Sequence, residues 1–574
     1  MFAVGFSLCG GDHLIRLFRR NGHAAIGGLG SRIAENILYA KHSGSTPLRP
    51  WKRMTAFADL ETAGRFGKPK FEAFREFRYL HLCFPEAVFI LNTRDPALWL
   101  ASRAAHLDGG YAAAQADHQG VHPRDLPDIW LDDWHRHLGE VTAYFAGYDR
   151  FFSFDLDRDD LDRLRRALQP WYALPRTPPD RGAENAEKAA RNRSALEELR
   201  RRRPARRNST RRDSAFEAAV TAHCVGRGTS AAGQDAPAVS SLVYAHWNGR
   251  DRVSDAKGRP LPMVNATVGG REMFLTRGDR FKLDRVQGVL NEILGLCRRL
   301  PVHVDMEDAR KYGTSGTPNP PVPLLAYNRR PEARNVVLWP LPVYHSIGNP
   351  LFALPQPVDR LSFEQKADAV GWRGKLAGRA GFHDGCGARA GRSAAQILGE
   401  LATSPPRDRE AEIEAELQGL VRYRVLKRFA DRPDFDMQLT LMGEHAKLAG
   451  HRFLAGLCGE RRPPEWFFRY RYIPCLSGYD TGSNFFLAAN SNSVVLKEED
   501  GWALFYTDAF KPWEHYVPLA RGASDLDEKL EWARANPALC REMVRASQQV
   551  CRRFADPDAR RRILNAVLDR YAAM

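Results

Sequence analysis

Residues 468–519 read "FRYRYIPCLSGYDTGSNFFLAANSNSVVLKEEDGWALFYTDAFKPWEHYVPL", and this stretch decides the fold class of the C-terminal part. Its run "SVVLK" is typical of a buried strand. The glycines, small hydroxyls and SN pairs ahead of that run are more polar than a core element requires. Backbone-rich loops of this composition suit phosphate groups. We therefore expect loops at residues 478–493 that hold an anionic ligand.

The chain is too long for one hydrophobic core. At 574 residues, with 44% hydrophobic and 10% aromatic residues, it predicts three or four folding units. The formal net charge of +16 indicates anionic partners. Part of this excess is local, because "RRRRPARRNSTRR" at 200–212 carries eight arginines.

The cysteines and the N-terminus indicate a cytoplasmic protein. The nine cysteines include no C-x-x-C pair, which argues against structural disulfides and a zinc ribbon. The first residues lack the basic start and apolar run of a secretion signal, and no uninterrupted apolar stretch of about 18 residues occurs. We expect no membrane span and no bound metal, since the isolated "HDGC" at 383–386 offers no convincing ligand set.

Three regions follow one another along the chain. Residues 1–175 alternate strand-like runs such as "AVFILNTR" with helical patterns such as "HLIRLFRRNG", the rhythm of a parallel α/β unit. Residues 176–241 lose this rhythm, and we expect a disordered, arginine-rich linker with a transient helix over 185–202. The α/β rhythm returns at 242–574, which is long enough for two Rossmann-like halves.

The opening stretch resembles the signature region of glycosyltransferase family 90. The matching pieces are "YRY", Gly478, "SNSVVL" and "KPWEHYVPL", with "SDLDEKLEWARANP" following. The pattern "GYDTGSNFFLAANSNSVV" looks like the family's bacterial branch, which acts on surface polysaccharide. The resemblance implies a GT-B-like pair of halves, an acceptor half at about 242–365 and a donor half at about 366–574, and a UDP-sugar donor. Asn484 replaces the arginine of the eukaryotic branch, which leaves the transferred sugar open.

The resemblance also assigns donor-binding residues. The element "FEQKADAVGWRGKLAG" matches the family's W/F-R-G pattern, in which an arginine's fork of donors suits a diphosphate and a glycine allows close backbone approach. The alternative for this arginine is a surface residue after a buried strand. The predicted donor-binding residues are Arg373, Gly374, Gly478, Asp480, Ser483, Asn484 and Ser493.

The family's base is an aspartate that follows a strand, and "RLPVHVDMEDARKYG" places Asp308 at that position. An inverting sugar transfer needs a carboxylate to take the proton of the acceptor hydroxyl. Asp305 and Glu307 are close rivals. One of the three carboxylates is alternatively a helix cap or a solvated charge.

Residues 1–170 resemble bacterial sulfotransferase-like proteins, which use 3′-phosphoadenosine-5′-phosphosulfate and have a P-loop-like fold. The resemblance rests on "VGFSLCGGDHLIRLFRRNGHAA" and "FILNTRDPALWLASR". It implies phosphoadenosine binding by Gly10, Arg94 and Ser102.

The first of these two motifs departs from the family pattern. Leu8 replaces the lysine that offsets charge on the phosphosulfate, and Asp12 adds repulsion toward a phosphate. The domain is therefore either a degenerate module or an active enzyme, and Asp59 and Glu61 are base candidates in the second case.

Three functional hypotheses remain open. The first is a glycosyltransferase that acts on a bacterial surface glycan, such as lipopolysaccharide, capsule or exopolysaccharide, and carries a degenerate sulfotransferase-like module. The second is a bifunctional enzyme that also sulfates this glycan. The third is a nucleic-acid-binding protein, which the arginine run alone suggests without any accompanying motif. We expect the arginines to contact an anionic membrane face, where a lipid-linked acceptor would lie.

Overall fold

The computed structural model describes residues 1–28, 32–62, 71–106, 109–178, 185–201, 212–227, 244–280, 282–308, 310, 312–313, 317–342, 344–345, 347–349, 358–381 and 391–574. The described residues fall into two compact units. Unit 1 lies within Met1–Ser209, Leu242–Pro301 and Asn349–Pro355, and unit 2 lies within Thr210–Ser241, Val302–Gly348 and Gln356–Met574.

Both units contain helices and strands. The α-helices of the described residues are α1 (Gly11–Arg20), α2 (Arg32–Ser43), α3 (Phe77–Cys83), α4 (Pro96–Ala105), α5 (Gly110–Gln119), α6 (Leu126–Tyr144), α7 (Leu161–Leu168), α8 (Asn185–Arg201), α9 (Ser214–Val225), α10 (Leu283–Gly295), α11 (Ala394–Leu401), α12 (Arg407–Gln418), α13 (Val421–Arg428), α14 (Pro464–Phe467), α15 (Phe485–Ala489), α16 (Leu526–Ala535), α17 (Pro537–Phe554) and α18 (Pro557–Ala572).

The strands of the described residues are β1 (Phe2–Ala3), β2 (Ala25–Gly27), β3 (Ala56–Ala58), β4 (Glu61–Thr62), β5 (Phe71–Glu72), β6 (Phe89–Thr93), β7 (Phe151–Asp155), β8 (Tyr244–Asn248), β9 (Val253–Ser254), β10 (Met263–Val268), β11 (Arg271–Thr276), β12 (Pro301–Asp305), β13 (Leu324–Ala326), β14 (Val336–Leu338), β15 (Ala367–Gly374), β16 (Phe435–Leu439), β17 (Tyr470–Cys475), β18 (Val494–Glu498) and β19 (Val517–Leu519).

Unit 1 is built on a five-stranded parallel sheet with the order β2-β3-β1-β6-β7. Strand β6 shows why both faces of this sheet are covered. Phe89 and Leu91 belong to one hydrophobic cluster, whereas Val88 and Ile90 belong to another. Successive side chains point to opposite faces, so a run that is apolar throughout is buried on both sides. The predicted parallel α/β unit is confirmed.

A smaller part of unit 1 packs a hairpin and a helix against α2. Strands β10 and β11 pair in antiparallel fashion, and Gly269 and Gly270 make the two-residue turn with positive φ. Glu35 of α2 is fully buried, and its Oε1 accepts hydrogen bonds from the Thr276 N–H at 2.8 Å and the Thr276 hydroxyl at 2.9 Å. Gln287 of α10 donates to the same oxygen at 2.5 Å. One buried carboxylate therefore joins three elements.

Unit 2 contains two sets of parallel strands. Strands β14, β13 and β12 are neighbours in that order, with β12 paired to β13 and β13 paired to β14. The second set is a five-stranded sheet with the order β16-β15-β17-β18-β19. This arrangement is consistent with Rossmann-like halves. The runs "VHVDM", "PLLAY", "NVVLW" and "SVVLK", all predicted as strands, are confirmed as β12, β13, β14 and β18.

The region predicted as a disordered linker, 176–241, contains two helices. Helix α8 packs on α4, and helix α9 packs on α18. In α9 the Glu217 carboxylate pairs with the Arg562 guanidinium, with N–O distances of 2.7–3.1 Å. Helix α8 corresponds to the transient helix predicted over 185–202. The prediction of disorder is wrong for α9, because its apolar residues find partners far away in sequence. The arginines at 202–211 lie outside the described residues.

The two units differ from the predicted domain bounds. Residues 242–301 group with residues 1–209, although the sequence pattern joined them to 302–574. The physical reason is the buried Glu35 network, which ties β11 and α10 to α2. A pattern of alternating strands and helices cannot show which core a strand joins.

Replacing Glu35 by leucine should lower the stability of unit 1. The substitution removes the acceptor of the Thr276 and Gln287 donors, and each unsatisfied buried donor costs about 1–3 kcal/mol. We expect a loss of at least about 2 kcal/mol in urea unfolding and faster deuterium exchange at the Thr276 amide. The matched control is Glu197→Leu, because Glu197 is largely exposed on α8. Equal effects of the two substitutions would contradict the role of Glu35.

Candidate functional site

Three loops of unit 2 that follow parallel strands meet around one tyrosine. The loops follow β12, β13 and β17. Tyr327 comes directly after β13, and its hydroxyl donates to Asp308 Oδ1 at 2.6 Å. The same hydroxyl is in hydrogen-bond contact with Asp480 Oδ2, which also accepts from Asn328 Nδ2 at 2.8 Å. The predicted base and a predicted donor-binding residue thus meet at the carboxyl ends of the strands, where α/β sheets bind ligands.

Tyr327 and Asn328, the two residues after β13, are buried. Their side chains are 2% and 1% exposed. The buried ring of His345 lies 6.4 Å from the Tyr327 ring, and its Nδ1 accepts from the Leu341 N–H at 3.1 Å. Burial, together with the nearby charge of Arg560, lowers the pKa of His345 to about 3, so this ring is neutral at physiological pH. Sequence reasoning missed Tyr327 and Asn328, because "PLLAYNRR" carries no motif that marks them.

The three candidate carboxylates on the β12 loop occupy different environments. Asp305 is fully buried and accepts from Arg310 Nε at 2.9 Å, from the Tyr312 hydroxyl at 2.8 Å and from the Glu307 N–H at 3.1 Å. These contacts give Asp305 a structural role in holding the loop. Asp308 and Glu307 are half-buried, and Asp308 contacts Tyr327. The geometry therefore favours Asp308 over Asp305 as a proton acceptor.

A half-buried arginine, Arg422, fixes the start of the loop after β17. The Arg422 guanidinium donates to the carbonyl oxygens of Ser477 at 3.1 Å, Leu476 at 3.0 Å and Lys375 at 2.8 Å. It thereby joins the ends of β15 and β17. Within "LVRYRVLKRF" this arginine looks like a surface residue of a helix, so the sequence offered no signal for it.

A buried glutamate completes the support of this loop. Glu498, at the end of β18, is fully buried. One of its oxygens accepts from the Ser477 N–H at 2.9 Å and the Ser477 hydroxyl at 2.6 Å, and the other accepts from the Gly522 N–H at 2.7 Å. The Glu498 side chain thus accepts hydrogen bonds from all three donors. The loop is preorganised before any ligand binds.

Three other predicted donor-binding residues lie near Asp480 in sequence. Gly478 precedes it, and Ser483 and Asn484 follow it. The Gly478 N–H donates to the Asp480 carbonyl at 3.0 Å, which closes a tight turn. Ser483 is exposed at the loop surface. Asn484 lies at the start of α15 and donates to the Pro474 carbonyl at 3.0 Å. Their roles in donor binding remain predictions.

Two other predicted donor residues have structural partners. Ser493 is 2% exposed, and its hydroxyl donates to the Tyr470 carbonyl at 2.7 Å. A Cβ on Gly374 would lie 2.4 Å from the Trp372 ring, so packing alone accounts for this glycine.

Arg373 is paired within the chain. Its guanidinium donates to Asp436 Oδ1 at 2.5 Å and to the carbonyl oxygens of Trp372 and Asp436 at 2.8 Å each. It also lies 4.3 Å from the Trp466 ring centroid. The Asp436 carboxylate would therefore compete with a diphosphate for this guanidinium, whose buried Nε has no hydrogen-bond partner.

In unit 1 a buried asparagine shapes the loop after β1. Asn92 of β6 accepts from the Gly5 N–H at 2.9 Å and donates to the carbonyl oxygens of Phe6 at 3.2 Å and Cys9 at 3.3 Å. The loop ends at Gly10, whose φ of 87° leads into α1. Asn92 thus joins the loop after β1 to strand β6. The two predicted phosphate-binding motifs require this proximity.

The predicted 3′-phosphate contacts meet at this loop. Arg94 donates to the Leu8 carbonyl and to the Ser102 hydroxyl, each at 3.3 Å. However, the guanidinium also pairs with both carboxylate oxygens of Asp157, at 3.0 and 3.2 Å. Asn192 of α8 donates to the Ser102 hydroxyl at 3.2 Å. Side chains of the chain therefore fill positions that a phosphate would take.

The two base candidates of unit 1 lie among other charged groups. Burial raises the pKa of Asp59 to about 7, and repulsion from Asp12 and Glu61 adds to this shift. Glu61 accepts from the Tyr111 hydroxyl at 3.1 Å and lies 3.8 Å from the buried Arg103 guanidinium. Glu61 is thus engaged in an internal network, whereas Asp59 can exchange a proton near neutral pH.

Among the described residues, no cluster of three or more histidine, cysteine, aspartate and glutamate side chains could hold a metal ion. No helix of the described residues combines the length and apolarity needed to cross a bilayer. The eight described cysteines are free thiols. The segment 383–386 lies outside the described residues.

Residues 464–574 match the model of Glycosyl transferase family 90. The matched segment contains β17, the loop with Asp480, and β18, and it excludes Asp308 and Arg373. The family match thus covers only the part of the candidate site that contains Asp480.

Individual relatives support the same assignment. The chain is 31% identical to Protein O-glucosyltransferase 3 of Mus musculus over 106 residues. This alignment covers 18% of this chain and 21% of the relative. The chain is 33% identical to Uncharacterized protein 035R of Invertebrate iridescent virus 3 over 115 residues. This alignment covers 20% of this chain and 10% of the relative. The chain thus spans about one tenth to one fifth of the length of these relatives. The family match and the match to Protein O-glucosyltransferase 3 support glycosyl transfer.

Replacing Asp59 by asparagine should stabilise unit 1 above pH 7. A carboxyl group whose pKa is higher in the folded than in the unfolded state contributes its stability below about pH 4 and loses it as the pH rises toward 7. Asparagine stays neutral, so the variant should gain roughly 1–4 kcal/mol over wild type at pH 8 and little at pH 4. Urea unfolding at both pH values measures this difference.

The matched control is Asp12→Asn, which removes only one source of repulsion and should give a smaller gain at pH 8. A constant difference between Asp59→Asn and wild type across the pH range would show that Asp59 does not titrate there.

Proposed function

We propose that unit 2 transfers a sugar from a UDP-linked donor to a hydroxyl group of a bacterial surface glycan, with inversion at the anomeric carbon. The observation that carries this proposal is the contact of Asp308 and Asp480 with the same Tyr327 hydroxyl. It brings the predicted base to the loop that lies within the family match. The transferase class rests on that match, whereas the donor, the acceptor and the stereochemistry are proposals.

In the proposed reaction Asp308 accepts the proton of the acceptor hydroxyl. The hydroxyl oxygen forms a bond to the anomeric carbon as the bond between that carbon and the diphosphate oxygen breaks. UDP leaves with the electron pair. A half-buried carboxylate on the loop after β12, held by the Tyr327 hydroxyl, suits this role, because general-base catalysis requires a fixed distance to the proton.

The acceptor follows from the bacterial pattern "GYDTGSNFFLAANSNSVV", which favours lipopolysaccharide, capsule or exopolysaccharide. A lipid-linked acceptor would place the enzyme at the cytoplasmic face of the membrane, where the arginine-rich segment meets anionic lipid. Protein O-glucosyltransferases are named among the relatives, so a protein hydroxyl is the competing acceptor. Incubation with radiolabelled UDP-glucose and either membranes or protein extract from the source cells separates the two acceptor classes.

We further propose that unit 1 is a sulfotransferase-like module that binds phosphoadenosine weakly and does not catalyse sulfate transfer. The convergence of Arg94, Ser102 and the Leu8–Gly10 loop supports anion binding. Leu8 in place of a lysine, and the internal pairing of Arg94 with Asp157, argue against catalysis. The competing hypothesis, sulfation of the same glycan, predicts turnover of 3′-phosphoadenosine-5′-phosphosulfate by the full chain.

Asp308→Asn should leave the affinity for UDP-glucose nearly unchanged and lower sugar transfer by at least about 100-fold, the lower end of a general base's contribution. Asparagine keeps the shape of the side chain but cannot accept the proton. Calorimetry and single-turnover transfer measure the two effects.

The matched control is Glu307→Gln, since Glu307 is a half-buried neighbour on the same loop. Its transfer rate should stay within a few-fold of wild type. Asp305→Asn is not a usable control, because breaking a buried ion pair costs about 3–5 kcal/mol of stability. A wild-type rate in Asp308→Asn would assign the base to another residue.

Asp157→Ala should raise the affinity of the full chain for 3′-phosphoadenosine-5′-phosphate. The substitution frees the Arg94 guanidinium, and hydrogen bonds to charged groups contribute about 1.5–3 kcal/mol. We expect about 10-fold tighter binding in calorimetry.

The double variant Asp157→Ala with Arg94→Ala should lose this gain. An unchanged affinity in the single variant would remove Arg94 from the proposed phosphate site, and robust sulfate transfer by wild type would replace the noncatalytic hypothesis with the bifunctional one.

A further inference from the structure

Two arginine side chains of unit 2 converge on Gly501, in the loop after β18. Gly501 has a φ of 76°, and a Cβ built on it would lie 2.9 Å from Arg330 Nη1 and 3.1 Å from Arg521 Nη2. Since both nitrogens lie beside this one position, the two guanidinium groups are close to each other. Gly501 and Arg521 are exposed and Arg330 is half-buried, so a ligand can reach this place from solvent.

Backbone and ring contacts fix the position of Arg330. Arg329 and Ala503 exchange two backbone hydrogen bonds of 2.9 and 2.8 Å, which join the loop after β13 to the loop after β18. Arg330 Nη1 donates to the Asp500 carbonyl at 2.9 Å, and its guanidinium lies 4.7 Å from the ring centroid of the buried Trp502. A guanidinium that stacks on an aromatic ring presents its remaining N–H groups in a fixed plane.

The two guanidinium groups repel each other. Among the residues that the structure describes, neither Arg330 nor Arg521 has an ion-pair partner. The carboxylates of Glu332 and Asp500 act on Arg330 electrostatically but do not pair with it. Burial, together with the neighbouring charge of Arg521, lowers the pKa of the Arg330 guanidinium. An anion placed beside both cations would remove this repulsion.

The arginine pair lies away from the residue predicted to bind the donor diphosphate. Arg373 is near the end of β15, in the sheet with the order β16-β15-β17-β18-β19. Gly501 follows β18, two strands from β15, and Arg521 follows β19, three strands from β15. Because neighbouring strands lie about 4.8 Å apart, these two strands are roughly 10 and 14 Å from β15. One diphosphate is too short to contact both places.

We infer that Arg330 and Arg521 bind a phosphate group of the acceptor while the UDP-sugar occupies the donor site. The anion site rests on the contacts above, whereas its assignment to the acceptor rests on the proposed function. Arg330 follows Tyr327 by three residues, so their Cα atoms are at most about 11 Å apart. Tyr327 contacts the proposed base Asp308. One acceptor molecule can therefore reach both the base and the arginine pair. Two planar forks of N–H donors match the oxygens of a phosphate.

Titration of the full chain with inorganic phosphate, in the presence of saturating UDP, tests this site by calorimetry. Arg330→Gln and Arg521→Gln should each weaken phosphate binding by about 10-fold or more, since each removes charge-assisted hydrogen bonds. The matched control is Arg561→Gln, which removes the same charge from an exposed position of α18 and should stay within about 2-fold of wild type. Equal phosphate affinity in wild type and both variants would overturn the site. Displacement of this phosphate by UDP would overturn its assignment to the acceptor.

A comparison of Gly501→Asp with Gly501→Asn tests the pair without any ligand. Both side chains have the same shape and tolerate positive φ, but only aspartate places a negative charge beside the two guanidinium groups. Gly501→Asp should unfold about 1–3 °C above Gly501→Asn at low salt, and this difference should vanish when Arg330 and Arg521 are both replaced by glutamine. Equal unfolding temperatures of the two variants would show that the arginines do not face an unneutralised position, which would overturn the inference.

Transfer assays separate this inference from the proposed function. If wild type transfers sugar from UDP-glucose, Arg330→Gln and Arg521→Gln should raise the KM for the acceptor membranes by about 10-fold and change the KM for UDP-glucose by less than about 2-fold. Any other pattern would overturn the assignment to the acceptor. If wild type transfers sugar from no UDP-linked donor, that assignment fails with the proposed function, and the phosphate titration without UDP still decides whether Arg330 and Arg521 bind an anion.

Discussion

Parallel strand pairing determines where chemistry can lie in this chain. In unit 2, β12 and β13 are paired so that Asp305 stands opposite Ala326. The next residues of both strands, the Asp308 loop and Tyr327, therefore emerge at the same edge. Strand β17 sends its loop to the same tyrosine. The candidate site depends on this convergence of strand ends, because Asp308 and Asp480 lie 19 and 153 positions from Tyr327 in sequence.

The sequence predicted the strands better than the long-range contacts that build the site. Runs such as "SVVLK" are strands because apolar β-branched residues continue without interruption, and no distant contact changes that outcome. The residues that build the site differ in this respect. Tyr327, Arg422 and Glu498 act through hydrogen bonds to residues 19 to 153 positions away. A single polar residue after a strand has many possible partners, and the sequence does not select one.

The assignment of residues to units shows the same limit. The hairpin of β10 and β11 was predicted as part of the C-terminal region, yet its Thr276 bonds Glu35, 241 positions away. Likewise α9 was predicted as linker, yet Glu217 pairs with Arg562. Both contacts use a buried or half-buried carboxylate that accepts two or more hydrogen bonds. Such pairings outweigh local sequence preferences. Leaving a buried carboxylate unpaired costs more free energy than ordering the segment that supplies its partner.

The two arginines predicted to bind phosphate share one arrangement. Arg94 in unit 1 pairs with Asp157, and Arg373 in unit 2 pairs with Asp436. Each carboxylate acts as an internal substitute for an anion, so the guanidinium is neutralised without a ligand. A phosphate must then displace the carboxylate. Its net binding free energy is therefore the difference between two charge-assisted contacts and not the full free energy of one. This exchange favours ligands with more than one anionic group and disfavours single carboxylates. At the two proposed sites, this competition would favour nucleotides over ligands with a single carboxylate.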